Sequence, residues 1–402
     1  MPRPVNGGAR RPAGGTADDL RRNNLATLLT LVHRGGGLSR AELTRRTGLN
    51  RSTVGVCLAE LVGLGLVVEG RPAASPGKGR PSAVITPSSS TVAVTVNPEV
   101  DAITVGLVSL GGQVIERWRI ETAADLTAKK VVARSAAAIN GLLTGRTLDV
   151  VGIGVAVPGQ VRLSDGHVRD ATHLRWQEEP LAAELGSATG LPVKAANAAL
   201  LGMFGEVAFG AGRGVDDLVY LIGGASGIGG GVVSGGEVIT GVSGYAGELG
   251  HTFVRTGGLA CHCGATGCLE AEVTQQALLD AVALPAHQAE RLDEALAAAG
   301  EDPEVLALVR RDLDLLGIAV RNAVNVFNPA MVVLGGFLAS LYRNRPAGTD
   351  LGQDAIRADR EALTVTTAEL GPDQLLIGTA ELAFADLLAD PAADRAALRP
   401  AT

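Results

Sequence analysis

The chain has 402 residues, a formal net charge of −7 and a hydrophobic fraction of 46%. At about 100–200 residues per domain this means two to three packed domains, and it excludes a disordered or collagen-like polymer. No apolar run approaches the ~18 residues of a membrane span, and the opening Met1-Pro-Arg-Pro-Val-Asn-Gly-Gly8 lacks the apolar core of a secretory signal, so the chain reads as cytoplasmic. The net charge is an average of unlike parts. Residues 1–90 carry 13 Lys+Arg against 5 acids, or +8, which leaves −15 for the remainder. A basic first fifth on an acidic body points to a nucleic-acid module fused to something else.

Residues 1–18, rich in Gly, Pro and Arg, read as a flexible basic tail. From about Asp19 the spacing of Leu25, Leu28, Leu29 and Val32 predicts an amphipathic helix ended by Gly35-Gly36-Gly37. Ser39-Arg40-Ala41-Glu42 is a capping box that opens a second, short helix stopping near Gly48. Asn50 caps a third, Arg51 to about Leu64, whose predicted buried face is Val54, Leu58, Leu61 and Val62. Cys57 lies near that face and reads as a structural thiol. Two β-prone runs, Leu66–Glu69 and Ala83–Thr86, flank the basic tip Gly77-Lys-Gly-Arg80-Pro81. Three helices and a basic-tipped hairpin predict a winged helix-turn-helix DNA-binding domain over residues 19–87. Its candidate DNA contacts are Ser39, Arg40, Asn50, Arg51, Ser52 and Thr53 at helix starts, with Lys78 and Arg80 at the wing tip.

Pro87-Ser-Ser-Ser-Thr91 has the composition of a linker. Strand-like runs at 92–96, 103–108 and 114–120, an amphipathic helix at 126–143 and an apolar run at 150–157 then predict an α/β architecture. Gly223–Gly231 follows the strand Leu218–Ile222; by itself it reads as a tight β-hairpin rather than a phosphate cradle. Three of the four cysteines fall within eight residues, in Cys261-His-Cys263-Gly-Ala-Thr-Gly-Cys268. Such clustering without an export signal favours a metal over disulfides, and three thiolates so spaced suit tetrahedral zinc. His251 is the candidate fourth ligand, in preference to His262, which two ligands flank. A full ligand set with no open position reads as structural zinc.

These segments together resemble the ROK family of repressors, open reading frames and sugar kinases. The resemblance rests on Val151-Gly-Ile-Gly-Val-Ala-Val-Pro-Gly159, Gly244-Tyr-Ala-Gly-Glu248-Leu-Gly-His251, Cys261-x-Cys263-Gly-x-x-Gly-Cys268-Leu-Glu270 and Asn328-Pro-Ala-Met-Val-Val-Leu-Gly-Gly336. It implies a pair of actin-like, ribonuclease-H-like α/β lobes around a sugar cleft. The first lobe is expected over 88–196, completed by a C-terminal helix at 379–390, and the second, with the zinc loop, over 197–378. It implies sugar-binding roles for Asn197, Glu248, His251 and Glu270, and the winged helix is the mark of the family's repressor branch.

Two departures from the kinase branch stand out. The kinases' Asn-Asp pair falls on Asn197-Ala198, so the carboxylate that orients and deprotonates the sugar hydroxyl is a methyl group. Their Asp-x-Gly-Gly-Thr phosphate loop falls on Asn97-Pro-Glu-Val-Asp101, where Glu99 and Asp101 would repel a triphosphate. The expected function is therefore a sugar-responsive transcriptional repressor with an inactive kinase-like effector domain and no catalytic residues. Expected partners are operator DNA with an inverted repeat, a sugar or sugar derivative, structural zinc, and further copies of the chain as a homodimer or homotetramer. The alternative is an active ATP-dependent sugar kinase with a fused DNA-binding domain.

Overall fold

The computed structural model describes residues 16–70, 83–100, 102–122 and 126–393. Lys78, Arg80 and Asp101 lie outside these residues, as do the first fifteen. Helix α1 (Ala17–Gly35) starts earlier than its apolar stripe suggests. Thr16 is the cap, and its side chain and that of Asp19 satisfy each other's backbone N–H groups, which takes residues 16–18 out of the tail. Strand β1 (Leu38–Ser39), α2 (Arg40–Thr47), α3 (Arg51–Gly63), β2 (Val67–Gly70) and β3 (Val84–Pro87) follow, with the strands in the order β1-β3-β2. Gly36 and Gly48, both left-handed, close α1 and α2. The result is a winged helix-turn-helix.

Val54, Cys57, Leu58 and Leu61 form the buried stripe of α3, but Val62 is 42% exposed. At 100° per residue it sits about 90° from the stripe's centre, so it belongs to the flank and not to the core face.

The first lobe carries β4 (Thr91–Pro98), β5 (Ala102–Ser109), β6 (Val114–Glu121), α4 (Ala128–Leu143), β7 (Asp149–Val157), β8 (Gln160–Arg162), β9 (His167–Ala171), β10 (Trp176–Glu179), α5 (Leu181–Thr189) and β11 (Val193–Asn197). Its five-stranded sheet runs β11-β7-β4-β5-β6, parallel across β11-β7-β4 and antiparallel beyond. Helix α6 (Ala198–Phe209) then leads into the second lobe, with β12 (Leu218–Gly224), β13 (Gly227–Ser234), β14 (Glu237–Val238), α7 (Leu269–Glu272), α8 (Gln275–Ala281), α9 (Leu292–Ala298), α10 (Pro303–Phe327), β15 (Met331–Gly336), α11 (Phe337–Arg343), α12 (Arg357–Arg360) and β16 (Thr364–Thr367). Its sheet runs β14-β13-β12-β15-β16. The glycine-rich segment is a hairpin, with Gly224 paired to Gly227.

Helix α13 (Gln374–Ala389) closes the chain and begins five residues before the expected 379. It packs on α6 and across β7 and β4 of the first lobe's sheet.

The linker-like segment is not a loose linker. Ser88 and Thr91 are buried, and the Ser88 N–H donates to the Leu66 carbonyl. The winged helix shares one core with the body: Leu25, Leu29 and Leu58 belong to the same apolar cluster as Val108, Leu376 and Phe384. Small hydroxyls suit a tight β3–β4 crossing, which composition cannot distinguish from a flexible spacer. Arg22 also reaches Asp390 at 2.6 Å, tying α1 to the end of α13. Among the described residues no helix is long and apolar enough to cross a membrane.

Candidate functional site

A cleft of about 610 Å³ opens between the lobes, with Asn197, Glu248, His251 and Glu270 in its lining. Asn197 ends β11 and caps α6. Its carbonyl oxygen accepts from the N–H groups of Ala199 (2.8 Å) and Leu200 (3.2 Å), and its amide donates to the Gly159 carbonyl (2.9 Å). The cap consumes the oxygen, so the second amide hydrogen is what Asn197 offers a ligand. Ala198, the first residue of α6, faces the same cleft.

Glu248 precedes a 3₁₀ turn, Leu249–His251, that turns both side chains inward. Burial pushes the Glu248 carboxyl above the usual carboxylate range. His251 works in two directions. Its Nε2 is 4.0 Å from Glu248, while its Nδ1 is 3.5 Å from Cys261 Sγ and 3.6 Å from Glu270 Oε1. The side chain of Glu270, at the start of α7, is 8% exposed, turned away from solvent, and receives His262 Nδ1 at 2.9 Å.

The Cys loop folds back on itself. Ala260 bridges Thr266, Phe253 bridges Cys268, and the Cys261 N–H donates to the Ala265 carbonyl at 2.8 Å. Gly267 makes this possible: it has φ +73°, and a Cβ there would lie 2.0 Å from the Arg255 carbonyl oxygen. The ligand atoms of His251, Cys261, Cys263 and Cys268 all lie within 4.8 Å of one another, with Cys263 and Cys268 sulfurs 3.7 Å apart. Atoms bound at about 2.3 Å around a tetrahedral zinc sit about 3.8 Å from one another, so the cluster has the size that ion needs.

Burial pushes the Cys261 thiol up to about 12 and raises Cys268, while a backbone hydrogen bond from Ala265 pulls Cys263 down. Buried thiolates need a cation beside them.

His262 lies outside the Cys₃His cluster and turns to Glu270 and the cleft. Its ring meets that of His173, from the first lobe, edge-on at 5.3 Å. His173, Asp170 and Glu99 complete the first-lobe wall. Glu99 stands where the resemblance puts the kinases' phosphate loop; His173 and Asp170 carry no signal in the sequence, because only the fold brings them to the cleft. Glu272 was also missed; it is 4% exposed and pins the Cys loop by accepting from the Leu259 N–H.

The candidate DNA contacts separate into two groups. Arg51 and Ser52 are exposed on the first turn of α3, with Thr53 half-buried beside them. Asn50 accepts from the Thr53 N–H at 2.8 Å and from the Ser52 hydroxyl at 2.7 Å, so its oxygen is spent on capping. Ser39 is likewise engaged with Glu42, and Arg40 forms a two-point bond to Glu69 on β2. Val56, not among the candidates, is 65% exposed on α3.

Residues 94–385 match the ROK family. The xylose repressor of Caldicellulosiruptor bescii is 29% identical over 383 residues, 88% of this chain and 93% of its own. A glucokinase of Halalkalibacterium halodurans is 32% identical over 253 residues, 58% of this chain and 76% of its own. A solved ROK-family transcriptional regulator, described as a homologue of the E. coli MLC protein, shares the fold. It has a TM-score of 0.72 at 24% identity, and the match covers 92% of this chain and 97% of that one. With the matched segment spanning both lobes and the cleft between them, the chain belongs to the ROK family.

Proposed function

We propose that this protein is a sugar-responsive transcriptional repressor whose kinase-like lobes sense a sugar without phosphorylating it. The observation that carries this reading is Ala198. It follows Asn197 at the start of α6 and lines the cleft, at the position the family's kinases give to the catalytic Asp. A methyl group neither accepts a proton from a sugar hydroxyl nor orients it. The similarity to xylose repressors over 88% of the chain supports the same reading.

In this reading α3 enters the major groove with Arg51, Ser52 and Thr53, and the wing, with Lys78 and Arg80, reaches the adjacent minor groove. Ser39, Arg40 and Asn50 shape the reading head through their bonds to Glu42, Glu69 and Thr53. Asn197, Glu248, His251 and Glu270 hold the sugar. Zinc on His251, Cys261, Cys263 and Cys268 is structural: it fixes the loop that presents His251 and Glu270. A homodimer or homotetramer presents paired heads to inverted half-sites about one helical turn apart. The sugar acts only through different affinities for operator-competent and incompetent arrangements. Moving from mostly bound to mostly released takes about 10⁴-fold, or about 5.5 kcal/mol.

Operator sequences selected from random DNA, followed by binding titrations with and without a sugar panel, test the proposal. A sugar that weakens operator binding supports it. The similarity to glucokinases favours a second reading, a kinase with a fused DNA-binding domain. An ATP-coupled assay separates the two: sugar-dependent ATP turnover above background overturns the repressor-only reading.

A further inference from the structure

The cleft is lined by four carboxylates, Glu99, Asp170, Glu248 and Glu270, and among the described residues by no lysine or arginine. Proteins hold phosphate with cationic side chains, with free N–H groups at a helix N-terminus, or with an open glycine-rich turn. Lysine and arginine are missing from the lining, and most of the other donors are already engaged. Arg119 is bonded to Glu99 and is not part of the lining. The N-terminus of α6 points into the cleft, but the Asn197 side chain already receives its Ala199 and Leu200 N–H groups. The glycine turn is zipped into a hairpin, with Gly223 paired to Ile228 and Gly224 to Gly227. At its base the Ile228 N–H faces the Glu270 carboxylate at 3.4 Å. His251 and His262 also face Glu270, at 3.6 and 2.9 Å.

Resting on the sugar-sensing reading above, we infer that the effector is an unphosphorylated saccharide, neutral or amino-bearing, and that this cleft excludes sugar phosphates and sugar acids. A phosphoryl group brings about −1.5 to −2 charges into a wall of carboxylates with no counter-charge to receive it. A neutral sugar suits the same wall, because carboxylates accept two hydroxyl hydrogens at once and Asn197 keeps an amide hydrogen to donate. The volume lies within the range of pockets that enclose drug-sized ligands, about 300–1,000 Å³, so a glycoside of more than one ring also fits.

The test is calorimetric titration of the full-length, zinc-loaded protein with matched pairs. Glucose, glucosamine, N-acetylglucosamine and xylose are compared with glucose 6-phosphate, glucosamine 6-phosphate, N-acetylglucosamine 6-phosphate and glucuronate. The titrations are run at pH 8, where ordinary histidines are neutral. Any sugar that binds should lose at least 100-fold in affinity on phosphorylation or oxidation to the acid. Raising the salt from 50 to 500 mM should narrow that gap several-fold, because repulsion between charges is screened. A phosphorylated sugar that binds as tightly as its free form overturns the inference and leaves the sugar-sensing reading standing. A gap that salt leaves unchanged overturns the charge argument in favour of steric exclusion. If no saccharide of either kind binds or alters operator affinity, the sugar-sensing reading itself fails.

Discussion

His33 is the polar joint between the winged helix and the body, and replacing it with alanine should loosen one from the other. The ring is fully buried near the end of α1. Its Nδ1 accepts the Gly111 N–H at 2.8 Å, which assigns the proton to Nε2, and Nε2 meets the Glu381 carboxylate on α13 at 2.6 Å. Phe209, the last residue of α6, and Phe384 stand edge-on to the ring at 5.2 and 5.7 Å. His33→Ala leaves the Gly111 N–H and most of the Glu381 carboxylate without partners and opens a cavity between the two phenyl rings. Leaving a buried polar group without its hydrogen-bond partner costs about 1–3 kcal/mol, and more for a carboxylate. Arg34, 3.7 Å from the other Glu381 oxygen, compensates in part, so we expect about 3 kcal/mol. Hydrogen exchange should then accelerate about 100-fold over α1–α3. A double-mutant cycle with Glu381→Ala should give a coupling of about 1–3 kcal/mol. Operator affinity should survive better than its response to sugar. Unchanged exchange in α1–α3, or single losses that simply add, would refute the joint.

Asp312 gives a pH signature. It is fully buried on α10, where its carboxyl accepts from Arg311, and burial pushes that carboxyl up to about 6. A raised folded-state value means stability is full below the ordinary aspartate range and declines as pH climbs through about 6, since the unfolded chain ionises first. The advantage of Asp312→Asn over the parent in urea melts should therefore grow by about 1 kcal/mol between pH 5 and 7.5; a constant difference would contradict it. Cys263→Ser, or treatment with a strong chelator, should remove bound zinc and lower the melting temperature by roughly 5–10 °C, as read by metal analysis and calorimetry. Unchanged melting of a zinc-free protein would show that the loop stands by its own hydrogen bonds. Arg51→Ala should flatten the salt dependence of operator binding by about 0.9 in log–log slope. Val56→Ala should leave that slope intact and cost about 1 kcal/mol at operators with a thymine methyl beneath it. Equal slopes for both variants would argue against the division between phosphate and base contacts.

What the residues disclosed in linear order, and what they withheld, follow from the range of the interactions involved. The capping boxes at Thr16 and Ser39 and the cap at Asn50 act over three residues, so helix starts can be read from neighbours, although Thr16 was passed over because the apolar stripe begins later. The Cys loop was equally legible, because its ligands fall within a short span and Gly264 and Gly267 supply the left-handed turns that bring them together. His173 and Asp170 were not legible, since their place at the cleft depends on how the folded lobes meet. The His33–Glu381 pair was out of reach for the same reason, its partners standing 348 positions apart.

In the proposed repressor, its location bears on how a sugar signal would reach DNA. Asn197 caps α6 at the cleft, and Phe209 ends the same helix against His33. Twelve residues at about 1.5 Å each make a rod of roughly 18 Å between the two. Glu206, fully buried, accepts the N–H groups of Ala211, Glu369 and Leu370, and so fastens the far end of that rod to the segment leading into α13. In the proposed repressor, a ligand that tilted α6 through Asn197 would move Phe209 and α13 together against His33. An arrangement with no carboxylate at Ala198 can still transmit position along this helix, and a repressor needs only that.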